Sequence, residues 1–214
     1  MQTFTPFADF ERSLRVLDQK RLGKQRVEVI QIVRALTVPG YAWASHPAVL
    51  MWKGYEEALG RYGLTACEIW VERGFGDTCA ATIADDLRAV GIGTIRAYDE
   101  LAASRSLPPW LFDETVQLSH RSSLLRKDPE RYRPLFPTDT PDDLGYVWPV
   151  RSPAVVERER RQQENARRRA QRTAEKLARE AEQTRRRRSA AARRGWQTRR
   201  SRPGQDGLPE DRDA

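Results

Sequence analysis

Apolar residues recur at helical spacing over residues 18–36, DQKRLGKQRVEVIQIVRAL. Leu22, Val29, Val33 and Leu36 stand seven, four and three positions apart, and Ile30 widens the stripe. Asp18 precedes the run as an N-cap. The pattern predicts a helix that buries one side. Around the stripe lie Gln19, Lys20, Arg21, Lys24, Gln25, Arg26 and one carboxylate, Glu28. Such a helix is either a scaffold element or the wall of an active site.

The remaining pattern is also helical. Phe4, Phe7 and Phe10 predict a segment pinned to the core by its rings, and Asp9 starts a short helix through Leu14 and Leu17. Pro39 and Gly40 stop the long helix. A second helix opens at Pro47, capped by Ser45 or His46, and ends or breaks at Gly63. A third covers residues 65–73, a fourth residues 80–90, and residues 95–101 form a short helix or a loop. The last core helix runs from about residue 113 to 125 or 127, with Val116, Leu118, Leu124 and Leu125 as its apolar contacts. Residues 127–150 are Pro-rich and aromatic, hence ordered but irregular, packing back through Tyr132, Leu135, Phe136, Tyr146 and Trp148. No alternating run argues for a sheet. The expected fold is all-α: a compact helical domain over residues 1–150 with an irregular C-terminal segment, then a charged tail over residues 151–214.

Charge sharpens that division. The net charge is +8. Residues 151–214 hold 20 Lys and Arg against 10 Asp and Glu, a net +10, which leaves 18 against 20, a net −2, in residues 1–150. The basic character belongs to the tail, so any attraction of the domain for phosphates must be local. Between Val156 and Trp196 the only large aliphatic is Leu177. With its Arg, Glu, Ala and Gln content the tail reads as a solvated helix over about residues 153–192, without the stripe a coiled coil needs. The basic block of Arg185 to Arg188 with Arg193 and Arg194 is a solvated arm, a phosphate binder or a contact for an acidic partner. Residues 201–214 read as disordered. Cys67 and Cys79 form no CxxC pair and read as free thiols. No apolar run reaches the roughly 18 residues that span a membrane. The first residues lack the basic start and apolar core of a signal peptide, which assigns the chain to the cytoplasm.

Candidate chemistry is sparse. Glu28 reads two ways: as an ion-pair partner of Lys24 one helical turn earlier, or as a carboxylate in a cleft facing a developing sugar cation. His46 and His120 lack the Cys, Asp or Glu spacing of a metal site. His46 reads as a cap or loop residue. His120, Arg121, Arg126 and Lys127 form a basic cluster that contacts phosphates or is simply solvated. No P-loop, dinucleotide fingerprint, GxSxG or HExxH is present.

Three stretches in order carry a resemblance: LDQKRLGKQRVEVIQIVRAL (17–36), HPAVLMWKGYEEALGRYGLTACEIWVERGF (46–75), and LSHRSSLLRKDPERYRPLF followed by GYVWP. Together they resemble the pyrimidine-dimer DNA glycosylase family, typified by a small phage endonuclease, and within it a bacterial branch that begins MQTF. The resemblance covers residues 1–149 and implies an all-helical monomer without disulfides, metal or cofactor. It implies that a chain-terminal α-amine attacks C1′ of a damaged nucleotide to form an imine, that β-elimination nicks the strand, and that a glutamate on the first long helix assists. The family order D-Q-x-L-x-x-x-x-x-E falls on Asp18, Gln19, Leu22 and, with one inserted residue, Glu28. In the family the amine is exposed by removal of Met before a small residue. Here residue 2 is Gln, so Met1 is expected to stay and to offer its own amine, with Lys20 and Lys24 as substitutes. Gln19, Arg21, Lys24, Arg26, His46, His120, Arg121 and Lys127 are the expected contacts to damaged duplex DNA. Two other functions remain open: a non-catalytic nucleic-acid binder on the same scaffold, and a helical protein-interaction module.

Overall fold

The computed structural model describes residues 1–150 and 153–200. The chain divides into one unit over Met1–Val156 and a second that begins at Glu157. The first unit is built on α1 (Phe10–Arg15), α2 (Gln19–Thr37), α3 (Pro47–Leu50), α4 (Glu56–Glu72), α5 (Cys79–Arg88), α6 (Tyr98–Ala103), α7 (Glu114–Lys127) and α8 (Pro129–Tyr132). Short 3-10 turns at Pro109–Phe112 and Arg133–Leu135 flank the last two helices. No strand occurs among the described residues, so the unit is all-α as expected.

The centre is the packing of α2 against α4 and α5. Asp18 caps α2, its carboxylate accepting the Arg21 N–H at 2.9 Å. Of the predicted stripe, Leu22, Val29 and Val33 lose all contact with solvent, as does Ile32, while Ile30 and Leu36 are half-buried. The expected break at Gly63 does not occur: α4 runs unbroken from Glu56 to Glu72. Gly63 is there for space, since a Cβ would stand 2.6 Å from Val29 Cγ1. The real interruption lies earlier, in the turns after α3, where Gly54 adopts φ +83°. The fourth predicted helix is α5, and residues 95–101 resolve into a loop followed by α6.

The last core helix departs from its predicted face. Val116, Leu124 and Leu125 are buried in α7, but so are Ser119, His120, Arg121, Ser122 and Ser123. A polar helix can be buried only if its groups find partners. The irregular C-terminal segment supplies several of them: Val147 N–H donates to Ser119 Oγ at 3.1 Å and Leu144 N–H to Ser122 Oγ at 3.0 Å. The Ser123 hydroxyl donates to Tyr146 Oη.

The second unit is the greater part of one helix, α9 (Pro153–Arg200). It extends beyond the predicted end near residue 192. Its described side chains form i,i+3 and i,i+4 pairs, Glu157 with Arg160 and Arg161, Glu164 with Arg168 and Lys176 with Glu180. Pairs this exposed to solvent add little to stability. Leu177 is exposed. The side chains of Arg185 to Arg188, Arg193 and Arg194, and all of residues 201–214, lie outside the described residues. No described helix is long and apolar enough to cross a membrane.

Candidate active site

The chain start is threaded, extended and buried, between α2, α4 and α7. It has no neighbouring strand, so side chains satisfy its backbone. Phe4 N–H donates to Gln25 Oε1 at 2.9 Å, and Gln25 Nε2 donates to the Gln2 carbonyl at 3.1 Å. Tyr62 Oη donates to the Phe4 carbonyl at 2.9 Å, and Trp52 Nε1 to Thr3 Oγ1 at 3.0 Å. Thr5 N–H donates to His120 Nδ1 at 2.9 Å.

That last bond settles the tautomer of His120. The ring is completely buried, and burial pulls its pKa down to about 3, so it is neutral. Nδ1 accepts, hence Nε2 carries the hydrogen. The side-chain amide of Gln2 lies 2.8 Å from Nε2 and must present its oxygen there, because two donors would repel. The other end of the Gln2 amide has no partner among the described residues.

This anchoring delivers the chain terminus to Glu28. Glu28 is only 4% exposed. Its Oε2 accepts the Gln2 N–H and lies 3.8 Å from the Met1 α-amine, and its Oε1 lies 3.2 Å from Lys24 Nζ. The three groups line a cavity of about 450 Å³ together with Lys20, Arg21, Lys127 and Tyr146. One carboxylate thus faces four side-chain cations and the amine. The crowding of like charge is felt at Lys127, whose pKa is lowered by burial and by Arg21, Arg126 and Lys24. Asp18 holds Arg21 from the side. Its own pKa, raised by burial, is nonetheless brought down to about 2 by hydrogen bonds from Tyr132 and Arg21.

His46 stands beside the cavity. It caps α3 through Nδ1, which accepts the Ala48 N–H at 3.1 Å. Its pKa is lowered by burial and by the α-amine, with Glu28 opposing, so both site charges reach it. Its ring meets Trp43 at 5.8 Å and Trp148 at 5.9 Å between centroids.

Met1, Arg21, Lys24, Glu28 and Lys127 therefore share one cavity, with His46 near it. The other expected DNA contacts do not. Gln19 lies in an adjoining depression with Gly23, Trp70 and Asp128, and Lys20 and Arg21 line both hollows. Arg26 pairs with Asp77 and lies over the Trp70 ring, 4.1 Å from its centroid. His120 and Arg121 are buried, so the expected solvent-facing basic cluster is reduced to Arg126 and Lys127. Arg121 donates to the Pro6 carbonyl at 2.9 Å and pairs with Glu114. Both residues anchor the chain start instead of presenting charge. Sequence reasoning did not single out Gln2, Gln25 or Tyr146 for the site. Gln25 alone carried a signal, one helical turn before Glu28 on the same side. A second cavity of about 400 Å³ is lined by Asp9, Glu11, Glu68, Glu72 and Asp99 against Arg15 and Arg61, a charge balance that repels a phosphate backbone.

Residues 1–83 match the pyrimidine dimer DNA glycosylase family. The resemblance read in the sequence holds over that stretch, which contains Met1, Gln2, Lys24, Glu28 and His46 and ends before α7. No curated protein and no solved structure matches the chain.

Proposed function

We propose that this chain is a DNA-repair glycosylase that also nicks the strand, through an imine between the Met1 α-amine and the sugar of a damaged nucleotide. The observation that carries the reading is the 3.8 Å approach of that amine to Glu28 inside a cation-lined cavity. The match to a family of DNA-repair glycosylases over residues 1–83 supports the substrate class. An α-amine ordinarily releases its proton near pH 8, against about 10.4 for a lysine, so at neutral pH it is the better nucleophile by type.

The neutral amine's lone pair forms a bond to C1′ as the glycosidic bond breaks, and the pyrimidine leaves with that electron pair and a proton. Loss of an amine proton and opening of the sugar ring, with a proton to O4′, gives the protonated imine. Removal of a C2′ proton then expels the phosphate from C3′, which cuts the strand, and water releases the aldehyde and restores the amine. Glu28 stabilises the positive charge at C1′ and accepts protons on this path. Arg21, Lys24 and Lys127 neutralise the flanking phosphates, and α9 adds sequence-independent attraction.

Borohydride added during incubation with ultraviolet-irradiated or abasic DNA is expected to trap a covalent adduct that maps to the N-terminal peptide. Folded protein that binds this DNA and gives no adduct would remove the imine mechanism. That outcome leaves the second reading, a nucleic-acid binder without catalysis. It is favoured by one feature, the occupation of both Glu28 oxygens by Gln2 N–H and Lys24.

A further inference from the structure

The loop between α2 and α3 holds Trp43 in a left-handed conformation, φ +73°, with its carbonyl accepting the His46 N–H at 2.8 Å. A bulky residue in that region stores about 1–2 kcal/mol of strain, so the surrounding turn must hold it there. Core packing does not explain the conformation. Trp43 is 64% exposed, the highest value among the described large hydrophobic residues, and its indole N–H has no partner among them.

The ring is nevertheless placed. Its contact with His46 is edge-on, with the planes at 73°. His46 meets Trp148 in the same way, Trp148 meets Tyr146 at 5.5 Å, and Tyr146 lines the cavity of Glu28 and the α-amine. A row of aromatic rings thus leads from the cation-lined cavity to an exposed indole at its outer end. The cations of the cavity and the flat, exposed ring at the end of the row fit the two kinds of group a nucleic-acid strand presents, phosphates and bases. Reaction at C1′ requires the target nucleotide to leave the duplex stack, which leaves a base without its neighbour.

We infer that Trp43 is a stacking platform for a nucleobase unstacked at the lesion, so that it reads the opened state of the DNA and not its sequence. The inference rests on the DNA reading above but not on the imine. Its test uses the full chain and two duplexes, one intact and one with a tetrahydrofuran abasic site next to 2-aminopurine. Trp43→Ala is expected to weaken binding to the abasic duplex about tenfold, to leave intact duplex unaffected, and to abolish quenching of 2-aminopurine. Trp43→Phe is expected to keep most of both effects. Equal binding and quenching by wild type and Trp43→Ala would overturn the platform, as would an equal loss on both duplexes. Wild-type protein that binds neither duplex overturns the platform and the DNA reading together. Trp43-dependent quenching on the tetrahydrofuran duplex, with no borohydride adduct on the same sequence carrying a natural abasic site, overturns the imine alone and leaves the platform standing.

Discussion

Arg26 and Glu28 stand two positions apart on α2, and each is a largely buried charge with an opposite charge beside it. Their surroundings differ. The Arg26 and Asp77 side chains are 11% and 6% exposed, the Trp70 ring lies against the guanidinium, and Asp77 also accepts the Ala80 N–H at the start of α5. That pair clasps α2 to α5 and opens onto nothing. Glu28 is equally buried, but its partners are the free chain terminus and a lysine 69% exposed, and they face a cavity. Burial of a charge marks a constraint. Only the presence of reactive, accessible partners makes the constraint a site.

The comparison breaks most sharply at Glu28. Glu28→Gln keeps the shape and a hydrogen-bond acceptor for Gln2 N–H while removing the charge. Trapping of the sugar adduct on abasic DNA is expected to slow by about 10²–10⁴-fold, the usual scale for a general acid–base group, with the melting temperature little changed. An unchanged trapping rate would leave Glu28 a structural partner like Arg26.

Arg26→Ala is the converse. It strands the Asp77 carboxylate under Trp70, and removing one member of a buried pair costs about 3 kcal/mol or more. Urea unfolding should show that loss, while trapping per folded molecule stays near wild type. A selective loss of activity without destabilisation would return Arg26 to the list of DNA contacts.

His120 gives a smaller effect with a defined pH window. Its folded pKa lies near 3 and an unfolded histidine titrates near 6.5, so below pH 6.5 the unfolded chain binds a proton that the native one refuses. The stability due to neutral His120 is complete above pH 6.5 and falls as the pH drops towards 3, by about 1.4 kcal/mol per unit. His46 adds in the same direction, so the contrast must be between variants. Wild type and His120→Gln, unfolded in urea from pH 7 to 4.5, are expected to differ in slope by about one proton. Parallel profiles would mean that the ring is not held neutral.

His120 also shows where the sequence could be read and where it could not. The stripe of α2 was legible because helical periodicity is local, and Asp18 because a cap lies next to its helix. Glu28 stood out through an ordered resemblance, whereas its spacing alone suited an ion pair with Lys24, which is also present. α7 was opaque. LSHRSS has the composition of a surface, and what buries it is a set of partners more than a hundred residues away in Gln2, Thr5 and Pro6, with others in the segment after α8. Gly63 misled for a related reason: its helical cost is local, but the contact with Val29 that requires it is tertiary.

Lys24 supplies the finest test, because it shares Glu28 with the amine. Its ammonium is mostly in solvent, so the pair adds less than about 1 kcal/mol to stability. Lys24→Met removes a positive charge and, of the two substitute amines, the one paired with Glu28. If the terminal amine reacts, the adduct persists and still maps to Met1. If Lys24 also meets a phosphate, affinity falls severalfold and the slope of log K against log salt shrinks by about 0.9. Disappearance of the adduct with DNA binding intact would move the nucleophile from the chain terminus to Lys24, and the buried anchoring of residues 2–5 would then serve to hold Glu28 and not to deliver an amine.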